Sequence, residues 1–159
     1  MAKPRPFLGL LAGVAAGLVA SAAMAAFQHA AKPLLPDQGG DEDPATVQAA
    51  DKASEAMIDA PVPEDYREPA GQAVHYITGA VLGGIYGVIT EYKPEASAGF
   101  GGAYGIATSA LLDEGAVPAM GLAPGPEDTP LAQHAYGVAS HLVYGIVLEG
   151  VRWLIAGKR

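Results

Sequence analysis

A chain of 159 residues with no cysteine holds neither a disulfide framework nor a thiolate metal site. Its net charge of −8, with no basic patch to neutralise phosphates, excludes nucleic acid as a partner. Half of the residues are hydrophobic, and the charge is gathered into a few stretches instead of being scattered over every helix. Soluble helices each need a wet face, so this segregation is the pattern of a membrane protein.

The run from Phe7 to Phe27 carries no charge over 21 residues. At about 1.5 Å per residue it covers roughly 30 Å, the thickness of a bilayer's hydrocarbon core. Lys3 and Arg5 precede it, and Lys32-Pro33 closes it. A cleaved signal peptide is the rival reading, with small residues at Ser21, Ala23 and Ala25. The run is longer than the roughly 7–15 apolar residues of a signal. It also places Gly9, Gly13, Gly17, Ser21 and Ala25 one helical turn apart, a flat stripe for packing. A retained span over about residues 7–29 is expected.

Residues 32–70 are a different material, with ten acids, three bases and six prolines. Asp43 is placed to cap a helix over about 44–59, with Pro44 at its first position. Val47, Ala50, Ser54, Met57 and Ile58 fall on one side of it, as for a short helix lying over the bundle. Disorder is the expectation for the rest of the segment.

The second span, about residues 72–91, has His75 near its start and Gly79, Gly83 and Gly87 at fourfold spacing. Glu91-Tyr92-Lys93-Pro94 ends it. The third, about 96–112, carries Gly101 and Gly105 and is short for a crossing. Asp113-Glu114 reads as a solvated stop, and residues 113–130 as a Gly/Pro loop. The fourth, about 131–155, holds His134, Gly137, His141, Gly145, Glu149 and Arg152. The fold expected is an all-α integral membrane protein, a four-transmembrane-helix bundle with a short periplasmic surface helix.

With the N-terminus inside, six of the nine bases are cytoplasmic and fourteen of the seventeen acids are outside. That is the distribution the positive-inside rule requires, and it puts both termini in the cytoplasm. Tyr76, Tyr86, Gly79, Gly87 and Glu91 are echoed by His134, Tyr144, Gly137, Gly145 and Glu149 at a constant offset of 58 residues. A parallel duplication of a helix pair would give this echo. So would convergence of two glycine-packed helices.

Several of these residues carry a resemblance. Glu91-Tyr92-Lys93-Pro94, Gly101 with Gly105, Pro118-Ala119-Met120-Gly121-Leu122-Ala123-Pro124, and Ser140 to Tyr144 running on to Glu149 and Arg152 resemble the YagU-like family. These are small bacterial inner-membrane proteins without an established activity. The first span also looks like that family's N-terminal small-residue helix. The resemblance covers about two-thirds of the chain and implies an all-helical inner-membrane fold. Tyr144-Gly145 departs from the aromatic-rich fourth helix of the family, and 32–70 shows little match.

His141 is the sharpest candidate for chemistry. It lies near mid-depth of its span, where an ionisable group is costly and points to function. A proton relay or ligand role competes with a plainer one, a neutral imidazole bonded to Ser109 or Thr108 on another helix. His75 and His134 lie near the outer ends of their spans and read as interfacial polarity. His134 and His141 are seven residues apart, roughly 10 Å along one helix, so the two do not easily ligate one ion. No metal is expected. Glu91 and Glu149 lie at the inner ends, with Lys93 and Arg152 as partners for snorkelling charge. Alternatively, they form the mouth of a relay running Gly137, His141, Gly145, Glu149. No phosphate loop, nucleophile elbow, zinc helix or dinucleotide fingerprint is present, and no cofactor is called for.

The expected role is structural or accessory, with the lipid bilayer as partner and glycine faces serving a homo-oligomer or a larger membrane complex. A proton-linked carrier or channel using His141 and Glu149 is the alternative. A membrane enzyme acting on lipid or quinone is the third reading.

Overall fold

The computed structural model of the protein describes residues 3–35 and 43–158. Asp37, Asp41 and Glu42 of the acidic segment, and its Gly39-Gly40 pair, lie outside them. Among the described residues all regular structure is helical. In chain order the helices are α1 (Pro6–Ala31), α2 (Ala45–Ile58), α3 (Arg67–Tyr92), α4 (Gly102–Leu111), α5 (Val117–Ala119) and α6 (Leu131–Ala156).

Prolines and glycines set the boundaries. Pro6 opens α1, where a missing N–H costs nothing. Pro94 forces Lys93 out of the helical region, to φ −132° and ψ 84°, and α3 stops there. Gly157, at φ 81°, ends α6. Three helices are long and apolar enough to cross a membrane: α1, α6, and α3 together with the 3₁₀ turn that leads into it at Glu64. Each of the three α-helices has 26 residues, roughly 39 Å at about 1.5 Å per residue.

The expected third span is placed differently. Gly99, Phe100 and Gly101 have φ of 61°, 54° and 82°. Three left-handed residues in succession cannot belong to a right-handed helix. The helix therefore starts at Gly102 and not near 96. It then runs beyond Leu111 through a π-helical turn, Leu112–Ala116, into α5. Asp113 and Glu114, read as a solvated stop, lie inside that wider turn.

Burial is inverted relative to a soluble bundle. Ala12, Ala16, Ala20, Ser21, Thr90, Ser109, Ser140, Glu149 and Arg152 are buried. Leu10, Leu11, Val19, Ile77, Val81, Ile85, Ile106, Ile146 and Leu154 face outward. Small and polar groups inside with branched apolar groups outside is the arrangement that suits a hydrocarbon surrounding, where helix contact rests on close packing and hydrogen bonds.

α1 and α3 are antiparallel and meet glycine to glycine. A Cβ built on Gly9, Gly13 or Gly17 would overlap the carbonyl of Gly87, Gly83 or Gly79 respectively. α4 and α6 repeat this design. A Cβ on Gly101 would overlap the carbonyl of Gly145, and one on Gly105 that of His141. Gly9 also lies against the side chain of Glu91, and Gly101 against that of Glu149. So α3 maps onto α6 at the 58-residue offset, and α1 maps onto α4 at 92 (Gly9 to Gly101, Gly13 to Gly105). The two hairpins share one contact plan.

α1 also lies along α6, through Ala16, Ala20 and Met24 against Tyr144 and Leu148. α2 packs across the start of α3, where Val47 fills the space left by Gly71. Only its first half is covered, because Met57 and Ile58 are exposed. Pro44 takes the cap position instead of the first helical one, and no side chain caps the helix.

Because the Gly13 contact is with backbone, Gly13→Ala should destabilise the folded protein by about 1–3 kcal/mol, the usual cost of overpacking. A Cβ on Gly102 would meet only Leu142 Cδ2, at 3.5 Å. Gly102→Ala should therefore change stability by less than about 0.5 kcal/mol. Unfolding of both variants in detergent micelles separates the two outcomes.

Candidate functional site

Polar side chains gather at the two ends of the bundle. At the Arg5 end, the last turns of α3 and α6 bring Glu91 and Glu149 to the N-termini of α1 and α4. Glu91 Oε2 accepts from the backbone N–H of Arg5, at 2.7 Å. This residue caps α1, so a carboxylate from another helix sits at the positive end of the α1 dipole. The Arg5 guanidinium reaches Glu91 Oε1 at 3.7 Å and also donates to the carbonyl of Ala156. The first turn of α1 is thereby tied to the last turn of α6.

Glu149 is held more tightly. Arg152 Nε donates to its Oε2 and Arg152 Nη2 to its Oε1, both at 2.7 Å. Tyr86 Oη, from α3, donates to Oε2 at 2.8 Å. Arg152 is 1% exposed and Glu149 5%. The i, i+3 pairing expected from spacing is present, but it lies inside the bundle. It is a forked, hydrogen-bonded pair and not a pair of charges snorkelling outward.

At the opposite end, His141 Nδ1 lies 3.1 Å from the carbonyl of Gly137 and 3.1 Å from Asp113 Oδ2. Ser109 Oγ donates to the same carboxylate oxygen at 2.9 Å. Ser109 therefore reaches His141 only through Asp113, and the helix partner of His141 is that acid. Gly137 makes room for it, since a Cβ there would come within 2.8 Å of Asp113 Oδ2. One residue further on, Glu114 Oε1 lies 2.6 Å from His134 Nδ1. The π-helical turn is what allows this. Its extra residue rotates two consecutive acids so that both face α6, where the histidines they meet are two turns apart.

His75, in the first hairpin, directs Nε2 at the carbonyl of Ser21, 3.1 Å away, and packs edge-on against Tyr76. Tyr144 Oη donates to the carbonyl of Gly79 at 2.6 Å, and Tyr104 Oη to that of Leu82 at 2.8 Å. The four candidate residues thus fall into three places. Glu91 and Glu149 share one end, His141 lies with Asp113 towards the other, and His75 lies on α3 against α1. Among the described residues no group of three His, Asp or Glu side chains is arranged to hold a metal ion.

Asp113, Glu114 and His134 are the polar groups that sequence spacing did not bring together. The acids and the histidines lie on different helices, and their meeting depends on the π turn. The one available signal was the adjacency of two acids at the end of an apolar helix that α6 must pack against.

The family described as a protein of unknown function, DUF1440, matches residues 62–150. The chain belongs to that family. The match takes in α3, α4, the π turn and most of α6, and so both carboxylates, His134 and His141. Neither a curated protein nor a solved structure matches the chain.

Removing one member of a buried ion pair leaves the other without compensation, at a cost of about 3–5 kcal/mol. Arg152→Met should lose that much stability in detergent unfolding. The double variant Arg152→Met with Glu149→Gln should recover a large part of it, because Tyr86 retains an amide oxygen to bond.

Proposed function

We propose that this DUF1440 chain is a structural or accessory protein of a bacterial inner membrane, a four-span bundle that serves as a docking partner and not as a catalyst. The fourth crossing in this reading is the helical stretch 102–119, with α1, α3 and α6 as the other three. Lys3, Arg5, Lys93 and Lys158 then lie at the cytoplasmic end, with Arg152 buried at the same end, and α2 with the 113–130 loop lies outside, as a lysine and arginine bias favours. The likeness to the YagU-like family agrees with this placement.

The observation that carries the reading is the state of Glu149. Both of its oxygens are occupied by Arg152, and one also by Tyr86. A relay carboxylate must exchange protons, whereas one held in a buried bidentate pair acts as a rivet between α3 and α6. The apolar outer faces of α1, α3 and α6 supply the surface for lipid or for neighbouring spans.

A proton-linked carrier is the second reading, favoured by the Ser109–Asp113–His141 contacts inside the second hairpin. Reconstituted vesicles decide between the two. On the accessory reading, proton flux stays at the empty-vesicle level in the wild type and is the same in His141→Ala and Glu149→Gln. Flux above that level that His141→Ala or Glu149→Gln abolishes would overturn it. Affinity isolation from native membranes should recover a membrane partner or a second copy in fixed ratio.

A further inference from the structure

His134 has partners at both ring nitrogens. Nδ1 faces Glu114 Oε1 at 2.6 Å, and Nε2 faces two carbonyls, Pro126 and Thr129, each at 3.1 Å. All three partners are oxygens. A neutral imidazole has one N–H and one bare lone pair, so it cannot donate from both nitrogens. The arrangement therefore needs one more proton than a neutral ring beside an ionised carboxylate supplies. That proton lies on the ring, between Glu114 and the two carbonyls.

We propose that His134 is a protonation latch that holds the 120–130 loop over the end of α6. With the extra proton present, one ring ties three pieces of chain together: the π-helical turn through Glu114, the loop through Pro126 and Thr129, and α6 itself. When the proton leaves, a lone pair is left facing a carboxylate or two carbonyls, and one side of the latch lets go. The released loop keeps its attachment at the other flank, where Lys52 of α2 donates to the carbonyl of Met120 at 2.6 Å. Release thus frees the segment beyond Leu122, which is itself buried and bonded to Val117, and leaves α2 seated. The His134 side chain is 25% exposed and Glu114 31%, so protons reach the pair from solvent. Other titratable or charged groups at this end are Asp113 with His141, Glu127 and Asp128 on the loop, His29 and Lys32 at the end of α1, and, facing the first part of the loop from α2 and α3, Lys52, Glu55, and Arg67 with Asp43 and Asp51. Glu114 is the one whose carboxylate bonds the His134 ring. This inference is independent of which side of a membrane the loop occupies.

The chain has no cysteine, so a single introduced thiol reports one place. The full chain carrying Glu127→Cys, spin-labelled in detergent micelles, should show an immobilised label at about pH 5.5 and a mobile one at about pH 8.5, the range over which histidine changes charge. The ring nitrogen shifts of His134, followed by NMR on the same protein with labelled histidine, should change over the same pH interval. Adding His134→Gln should abolish the immobilised component at both pH values, with helical content unchanged by circular dichroism. A label equally mobile at both pH values in the parent protein would overturn the proposal. So would a mobility change that follows the ring of His29, His75 or His141 instead, or one that survives in His134→Gln.

Discussion

Close approach of backbones at glycine is the contact on which this fold depends. In α1 and α3 three glycine pairs bring carbonyls to where a Cβ would stand, and α4 and α6 do the same at Gly101, Gly105 and Gly145. Such contact yields dispersion energy along the whole seam without needing water to drive it. It also explains the outward placement of leucine, isoleucine and valine. With the seams filled by backbone, bulky side chains have no room in them, and the large buried ones, Tyr86, Tyr144 and Leu148, pack beside the seams against α1.

A seam without side chains leaves its polar groups few partners to choose from. That is why the charges at the Arg5 end arrive in matched sets. Glu91 accepts the Arg5 N–H at the start of α1, and Glu149 is matched by a guanidinium one turn along its own helix. Either carboxylate alone would be costly to bury. Together with Arg5 and Arg152 they make four charges that sum to zero, and they join the first turn of α1 to the ends of α3 and α6. The same group of residues thus satisfies the electrostatics and closes the bundle.

How far the sequence revealed this depends on the range of each interaction. Periodicity of one residue in four exposed the glycine seams, because a stripe on one helix is a local property. Glu149 with Arg152 was legible for the same reason, being a pair within one turn. The displacement of the third helix to Gly102 was not, since it hangs on three positive φ angles, one of them at Phe100, which carries no glycine signal. The pairing of Asp113 and Glu114 with His141 and His134 was hidden more deeply. An ordinary α-helix would turn two adjacent acids about 100° apart. The wider turn that brings both onto α6 leaves no mark in composition. The burial of Glu149 was also misjudged from depth alone, because a residue at the end of a span reads as interfacial until its neighbours close over it.

The shared contact plan of the two hairpins also isolates where they differ. At the 92-residue offset, Ala12, Ala16 and Ala20 of α1 correspond to Tyr104, Thr108 and Leu112. Alanines let α1 lie close along α6, whereas Tyr104 holds α4 away from α3 and fills the space with its ring, 4.6 Å from that of Tyr86. Gly83 corresponds to His141, and Ser21 to Asp113. Where the first hairpin sets the Ser21 hydroxyl against Gly79, the second sets the Asp113 carboxylate against Gly137 and the His141 imidazole. A scaffold needs only the former. At these two positions the second hairpin gains titratable groups, beside the π turn and the loop it adjoins. The first hairpin is thus the plain version of the contact plan, and the second carries the same seam with an acid and an imidazole added to it.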